Sequence, residues 1–392
     1  MLQDLKRELD VLLASSVPRE IHAGRERHAG QIDLRGRILS DFTSWDYFNL
    51  GSHERVKRVA HEELELSGVG SASSRTNSGS VPAHVLCEER FAKFFGTESA
   101  LLFSSKNQAV FSTLTAVLGE RDVVISEEQL QAPAADAAFL VGASFGTFSH
   151  RSLSSLAAEL ERHRLARRKI VLVESLVSLT GDLTALAPMA DLCSKAGAAL
   201  WVDESAGLGS LGPRGAGGTD REQSLIGSKI ACKFSELSSL LGVQNAIVCG
   251  PATLVSYVLQ RSRAIGIECS PTPAVAAAAS VALDLVEVMP GARASLSALA
   301  QRLRAGIAAL LHSSSDVTDS PVVSIPCVGI SKAREIAMGL FSRGVLADVV
   351  QTRTLLSELA LVRFIVNHAH TEATIDGALG ALAEVLKRVD AS

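Results

Sequence analysis

Aromatic residues are scarce in this sequence of 392 residues, and neither sign of charge is in large excess. Trp, Tyr and Phe together make up 4% of it, so Ala, Leu, Val and Ser fill the predicted interior, as is typical of a parallel sheet covered by helices. The 38 basic and 42 acidic residues nearly balance and form no long run of either sign. A basic surface that follows phosphates is therefore not expected, and we predict no nucleic-acid partner.

The sequence also lacks paired cysteines, a signal peptide and an uninterrupted apolar span. Residues 1–20 mix acids and bases, and the longest apolar stretch, 273–288, is broken by Asp284 and Glu287. We therefore predict a soluble, cytoplasmic protein with reduced and mostly buried thiols. The six cysteines, none in a CxxC pair, are Cys87, Cys193, Cys232, Cys249, Cys269 and Cys327.

Short apolar runs alternate with helical patterns from about residue 99 onward. This alternation predicts an α/β fold with a mostly parallel, doubly wound sheet. Three parts are expected: an N-terminal helix and arm (1–50), a large domain (51–290) and a small C-terminal α+β domain (291–392). The predicted strands are 99–105, 122–128, 169–175, 198–205, 229–236 and 245–250, and one predicted helix is 153–168.

The stretch AALWVDESAGLGSLGPRGAG (198–217) is the most informative one. Its apolar run ends at Asp203 and Glu204, and glycines then break the chain. This pattern places a carboxylate at the carboxyl end of a buried strand, where open α/β sheets bind ligands. Alternatively, Asp203 caps the end of the strand by binding backbone.

Five segments, in order, resemble motifs of the α-oxoamine synthases. They are FNLGSHERVKRVAHEEL (48–64), SSRTNSGSVPAHVLCEERFAKFFGTESALLFSS (73–105), ESLVSLTGDLTALAPMADLC (174–193), the stretch 198–217 and VRFIVNHAHT (362–371). Members of that family are fold type I enzymes dependent on pyridoxal phosphate (PLP). They condense an amino acid with an acyl thioester and release carbon dioxide. The resemblance therefore implies a fold type I, aminotransferase-like architecture.

The resemblance assigns roles to four residues. Asp203 is expected to pair with the pyridine nitrogen of the cofactor and keep it protonated. Ser178 is expected at the cofactor, and Arg363 and His84 at the substrate, where Arg363 matches the family's carboxylate-binding arginine. Two other interpretations stay open: Arg363 forms a salt bridge at an interface, and His84 is a packing or capping residue.

The family's imine-forming lysine is missing from its expected position. The segment ELSSLLGVQNAIVCG (236–250) matches the lysine motif, with Ser239 at the lysine and Glu236 at a threonine that contacts the cofactor phosphate. A serine hydroxyl forms no imine and is a poor base at neutral pH. A carboxylate at position 236 repels a phosphate unless a cation intervenes.

Other departures lie around the same cofactor position. Gln131 stands where a His stacks on the pyridine ring, and Ala206 where a His binds the phenolic oxygen. Lys106 and Asn107 replace a Gly and an aromatic residue at the phosphate-binding helix start. Cys269 replaces a Thr that helps hold the neighbouring subunit's phosphate. We interpret Lys106 as a solvated or phosphate-facing cation.

These departures favour the hypothesis of a non-catalytic subunit. It would form a homodimer, or a heterodimer with a lysine-bearing homologue that condenses an amino acid with an acyl thioester. No covalent cofactor is expected, although PLP as a weak, non-imine ligand of Asp203 is compatible with the residues.

Two alternatives stay open. The first is PLP-independent binding or transfer of an acyl thioester by Ser239, Glu236 or Cys232. The second is a divergent PLP transferase with a relocated lysine, for which Lys229 and Lys233 are the candidates considered.

Overall fold

A computed structural model describes residues 1–15, 21, 23–28, 30–34, 36–128, 132–314, 316–353 and 358–389. Its strands are β1 (Gly24–His28), β2 (Gln31–Leu34), β3 (Arg37–Asp41), β4 (Ser99–Phe103), β5 (Val123–Glu127), β6 (Ser144–Phe148), β7 (Lys169–Glu174), β8 (Ala199–Asp203), β9 (Ile230–Glu236), β10 (Ala246–Gly250), β11 (Val322–Cys327), β12 (Val345–Leu346), β13 (Asp348–Arg353) and β14 (Glu358–Ile365).

The helices cover much of the remaining chain. They are α1 (Leu2–Ser15), α2 (Glu54–Ser67), α3 (Pro82–Phe95), α4 (Lys106–Val117), α5 (Ala132–Val141), α6 (Leu153–Arg162), α7 (Leu186–Lys195), α8 (Gly218–Arg221), α9 (Gln223–Ile226), α10 (Ser238–Leu241), α11 (Ala252–Arg261), α12 (Arg263–Ile267), α13 (Pro273–Glu287), α14 (Pro290–Leu310), α15 (Ile330–Ser342) and α16 (Glu372–Val389), with a 3₁₀ turn at Leu50–Ser52.

The chain divides into two compact units. The sheet unit comprises Trp45–Ala298 and Thr318–Pro321. The terminal unit comprises Met1–Ser44, Leu299–Val317 and Val322–Ser392. The boundaries expected near residues 50 and 290 stay a prediction.

The sheet unit is built on a seven-stranded sheet in the order β4-β10-β9-β8-β7-β5-β6. The pairs β9–β8, β8–β7, β7–β5 and β5–β6 are parallel, whereas β10 is antiparallel to both of its neighbours. The predicted mostly parallel α/β sheet is therefore confirmed. Because β10 is antiparallel to both neighbours, β4 runs in the same direction as β9. Both strands therefore end on the side of the sheet where the parallel strands have their carboxyl ends.

Alternation along the strands builds a core on each face of this sheet. Along β7, Ile170 and Leu172 face one cluster, and Val171 and Val173 face the other. Both faces are covered by helices, which leaves the central strands apolar along their length, as expected for buried parallel strands. Ligand-binding groups are therefore expected mainly where the parallel strands end.

All six strands expected within residues 99–250 are present. The structure adds β6, with the sequence SFGTF, which the sequence analysis missed. It lies at the edge of the sheet and contains a glycine, so its apolar pattern is short. The helix expected over 153–168 begins at Leu153 and ends at Arg162.

The terminal unit contains two small sheets, ordered β1-β2-β3-β12 and β11-β14-β13. Strand β12 is parallel to β3, and the three-stranded sheet is antiparallel throughout. Among the described residues no single helix is long and apolar enough to cross a membrane. The pair α13 and α14, bent by 81°, meets the length and composition criteria only together.

Candidate active site

Four parallel strands each end on a carboxylate at the same edge of the sheet. Strands β5, β7, β8 and β9 end at Glu127, Glu174, Asp203 and Glu236. Glu174 and Asp203 are direct neighbours in the β7–β8 register. Four acidic side chains in a row repel one another, so the edge requires cations or protons to be stable.

Lys106 is the cation at the centre of this row. It begins α4 just after β4, which ends at this edge, and its Nζ lies 2.6 Å from Asp203 Oδ2 and 3.3 Å from Glu174 Oε1. Burial by itself lowers the pKa of Lys106, but attraction by Asp203 and Glu174 outweighs it and raises that pKa above its ordinary value. Of the two interpretations of Lys106, the solvated cation is wrong, because three quarters of its side chain is buried, and the phosphate-facing cation stays a prediction.

Asp203 also caps its own strand. Its Oδ1 accepts hydrogen bonds from the backbone N–H of Ser205 at 2.8 Å and from the hydroxyl of Ser205 at 2.5 Å. The Ser205 hydroxyl accepts in turn from the backbone N–H of Glu236 at 2.8 Å. Asp203 therefore combines the backbone-capping role with a contact to the site's amine, and it links β8 to β9.

Glu174 and Glu236 complete the charge arrangement. Burial raises the pKa of Glu174, and the neighbouring Asp203 raises it further, against the effect of Lys106 and of two hydrogen bonds from Ser178 at 2.7 and 3.1 Å. Burial also raises the pKa of Glu236, whose Oε2 accepts from the Ser238 hydroxyl at 3.2 Å. Both carboxyls are therefore able to hold a proton closer to neutral pH than an exposed glutamate.

Ser239 is fully buried at the start of α10. Its Oγ has no hydrogen-bond partner in the part of the chain that the structure describes. The two lysines considered as replacements are occupied elsewhere. Lys229 Nζ pairs with Asp191 at 2.5 Å on the surface, and Lys233 Nζ donates to the Phe95 carbonyl at 2.8 Å. Lys106 is thus the amine that contacts Asp203.

Glu204, next to Asp203, has a structural role. It is fully buried, accepts from the backbone N–H groups of Gly218 and Thr219 at 2.8 Å, and is bonded by the Ser175 hydroxyl. A Cβ at Gly217 would lie 2.0 Å from its carboxylate, so only glycine fits there. This contact explains one of the glycines that follow the strand.

A second cluster neutralises Glu127. His150 Nδ1 lies 2.5 Å from Glu127 Oε1, and its Nε2 lies 2.9 Å from Asp182 Oδ2. Burial lowers the pKa of His150, but the hydrogen bonds to Asp182 and Glu127 outweigh it and raise the pKa to about 9. His150 is therefore an imidazolium at neutral pH that joins β5 to the loop carrying Ser178.

This cluster makes stability depend on pH. The pKa of His150 rises from 6.5 to about 9, so its stabilisation is complete below pH 6.5 and is lost as pH rises through about 9. We expect the free energy of unfolding to fall by about 2–3 kcal/mol across this window, less than the full shift implies because the side chain is partly exposed. Urea unfolding at stepped pH measures the change.

The control for this prediction is a second partly buried histidine. His163 contacts one carboxylate, Glu159, at 3.2 Å. The variant His150→Gln is expected to lose the fall in stability between pH 6.5 and 9, whereas His163→Gln keeps it. An unchanged pH dependence in His150→Gln contradicts the assignment.

His84 and Arg363 have protein partners. His84 is fully buried, its Nδ1 accepts from the Val81 N–H at 3.2 Å, and its Nε2 lies 2.6 Å from the Pro271 carbonyl. Since backbone occupies both ring nitrogens, the geometry favours packing and capping over substrate binding. Arg363 Nη2 lies 2.6 Å from Asp348 Oδ2 in the terminal unit, and its role toward a substrate carboxylate stays a prediction.

The other predicted residues vary in their surroundings. Gln131 lies outside the described residues. Ala206 is buried, and its carbonyl accepts from the Tyr47 hydroxyl at 2.9 Å. Asn107 lines a cavity of about 330 Å³ beside α4 and α5. Cys269 is exposed, whereas Cys232 is buried, and burial raises the pKa of its thiol well above the ordinary value, which argues against it as a nucleophile.

Glu174, Glu127 and the His150–Asp182 pair were not identified from the sequence. A signal was present for the two glutamates, because the apolar runs of β5 and β7 end on a carboxylate, as does that of β8. The partners of His150 follow from strand order, which the sequence does not specify.

The family model for class I and II aminotransferases matches residues 38–382. The chain belongs to this family. An 8-amino-7-oxononanoate synthase from Anaeromyxobacter dehalogenans is 32% identical over 379 residues, which cover 97% of this chain and 94% of that protein. The Geobacter sulfurreducens enzyme of the same name is 30% identical, with 99% of both chains covered.

Solved structures of the family share the fold. A structure described as SPT with PLP internal aldimine has a TM-score of 0.90 at 23% identity and covers 100% of this chain and 98% of its own. Serine palmitoyltransferase from Sphingomonas wittichii has a TM-score of 0.90 at 22% identity, covering 99% and 98%. The predicted fold type I architecture is confirmed.

Two predictions are wrong in the light of these relatives. The relatives that match nearly the whole chain are named as synthases, which contradicts the non-catalytic subunit. The solved structure with an internal aldimine carries its cofactor covalently, which contradicts the expectation that no cofactor is bound covalently. Both predictions had been drawn from the absence of a lysine at position 239. The predicted dimer and its partner stay predictions.

Proposed function

We propose that this protein is a PLP-dependent transferase that joins an amino acid to an acyl thioester, with Lys106 as the amine that holds the cofactor. One observation carries the proposal. Lys106 Nζ lies 2.6 Å from Asp203, at the edge where the parallel strands end. The names of the relatives, 8-amino-7-oxononanoate synthase and serine palmitoyltransferase, support the reaction class.

The side chains present would provide each group that the cofactor requires, provided that the Lys106–Asp203 ion pair opens, because the ring nitrogen and the aldehyde carbon of PLP lie at opposite ends of the ring. PLP requires a carboxylate for its ring nitrogen, an amine for its aldehyde and N–H donors for its phosphate. Asp203 would supply the carboxylate, Lys106 the amine and the first turn of α4 the N–H donors. When bound, PLP supplies an electron sink for the substrate's α-carbon.

The protein's own groups explain how the amine becomes reactive. Lys106 is held charged by Asp203 and Glu174, and an ammonium is not nucleophilic. A ring nitrogen paired with Asp203 would weaken that attraction, and the pKa of Lys106 would fall. Glu236 attracts Lys106, and its own pKa is raised by burial, so it is placed to take up the proton released.

The test is turnover by the purified protein. With PLP, a panel of amino acids including serine and a series of acyl-coenzyme A thioesters including palmitoyl, we expect thiol release that requires both the amino acid and PLP. Lys229→Met, which removes a surface lysine paired with Asp191, is the matched control and should retain activity. Thiol release independent of PLP, or none with any pair, contradicts the proposal.

A further inference from the structure

A cavity of about 300 Å³ lies near the amino end of β9, whereas Asp203 lies at the carboxyl end of β8. It is lined by Ile230, the first residue of β9, and by Ser228 just before it. Parallel β8 and β9 pair Asp203 with Phe234, near the other end of β9. Lys233 pairs with Val202 across β8 and β9, but the residues that line the cavity do not include Lys106, Asp203 or Glu236. The cavity is therefore distinct from the proposed active site, and its volume is large enough for a small ligand.

Lys233 is the buried amine that lines this cavity. The residue is 8% exposed, and its Nζ donates one hydrogen bond, to the carbonyl of Phe95 at 2.8 Å, and lies 5.6 Å from the centre of the Phe95 ring. Within the described residues no carboxylate forms an ion pair with it. It differs in this respect from Lys106 and Lys229, which both contact carboxylates.

The surroundings of Lys233 lower its pKa and so raise the fraction of neutral amine above that of an exposed lysine. Burial lowers its pKa and Arg214 acts in the same direction, while Glu204, Asp220 and the Cys249 thiol act against it. A neutral lysine amine is a nucleophile toward carbonyl carbon. The Phe95 carbonyl, which accepts one N–H, leaves the nitrogen lone pair available.

We propose that Lys233 is a reactive lysine that condenses with small aldehydes entering this cavity. In the reaction the amine nitrogen bonds to the carbonyl carbon. The carbonyl oxygen then leaves as water with both amine protons, which gives an imine without oxidation or reduction. Arg214 and Glu98 both line the cavity. Arg214 pairs with Asp220 at 3.0 Å, and its remaining N–H groups are the donors available to a carboxylate, so aldehydes that carry a carboxylate are the class to test first.

A purely structural role for Lys233 makes the opposite prediction. The residue caps the carboxyl end of α3, where a cation stabilises the last carbonyl groups. A buried capping lysine would react more slowly than an exposed one. The relative labelling rates of Lys233 and exposed lysines therefore distinguish the two roles.

The experiment uses the full chain, glyoxylate and cyanoborohydride at neutral pH, with peptide mass spectrometry to locate the fixed adducts. Lys233 is expected to be labelled at least ten-fold faster than Lys229, and Lys233→Arg to lose that label alone. Equal or slower labelling of Lys233 in the unmodified protein overturns the proposal and requires no variant to fold.

A second arm tests the role of Arg214. The variant Arg214→Gln is expected to slow labelling of Lys233 by glyoxylate at least three-fold while labelling by uncharged propionaldehyde is unchanged. Equal effects on both aldehydes overturn the carboxylate preference. Adducts at Lys106 and Lys233 lie on different peptides, so this result is independent of the proposed transferase.

Discussion

Replacing Lys106 by methionine is expected to lower the rate of thioester consumption by about 10²–10⁴-fold, the range that a positioned acid–base group supplies. Lys106 is the amine in contact with Asp203, and methionine keeps an unbranched side chain that ends one atom earlier and has no nitrogen. The rate is measured as thiol release under saturating PLP, amino acid and acyl thioester. Lys229→Met, which removes a surface amine, is expected to match the unmodified protein.

The variant Lys106→Arg tests whether activity requires the amine of Lys106 or only its positive charge. Lys106→Arg keeps a cation beside Asp203 and Glu174 but forms no imine with an aldehyde. We expect it to be as inactive as the methionine variant. Substantial activity in Lys106→Arg would mean that the residue acts only as a counter-charge, which contradicts its assignment as the cofactor's amine.

A lysine at 239 provides a rescue. Ser239 is fully buried directly after the strand that ends at Glu236, and the resemblance to the α-oxoamine synthases assigns the lysine to this position. The double variant Lys106→Met/Ser239→Lys is expected to recover at least ten-fold over Lys106→Met alone. Failure of a folded double variant to recover activity would place the reacting centre away from these two positions.

Asp203→Asn is expected to lower activity by at least about 100-fold, because the charge that would pair with the cofactor's ring nitrogen is lost. The same change removes Asp203, which attracts Lys106 more strongly than Glu174 does, so the pKa of Lys106 falls. Two readouts follow: the rate of thiol release, and the pH at which Lys106 begins to react with an amine-selective reagent. The second is expected to shift to lower pH.

The matched control is Asp191→Asn. It makes the same change of charge at a surface carboxylate that pairs with Lys229 at 2.5 Å. We expect it to leave turnover and the reaction of Lys106 unchanged. If Asp203→Asn folds like the unmodified protein and retains turnover, Asp203 serves only as the cap of its strand.

The strands and the glycine-containing turn that carry this site were predictable from sequence, because they depend on local sequence patterns. Strand β8 is an apolar run that ends on a carboxylate, and the glycines after it allow the turn around Glu204. The strands from β4 to β10, apart from β6, follow from runs of similar kind. Strand β6 was missed because SFGTF is short, contains glycine and lies at the sheet edge.

The charge arrangement was not predictable in the same way. Lys106 looks like a solvated residue in sequence, since nothing near it in the chain is acidic. Its partners Asp203 and Glu174 reach it only because β7 and β8 are neighbours in register and β4 ends at the same edge. The ion pairs of His150 with Glu127 and Asp182 likewise join three segments that are distant in the chain.

The most direct test is to incubate the unmodified protein with PLP, reduce it with borohydride and locate the pyridoxyl group by peptide mass spectrometry. The account predicts the modification on the peptide that contains Lys106, lost in Lys106→Met and moved to position 239 in the double variant. A pyridoxyl group on another lysine, with Lys106 unmodified, would contradict it.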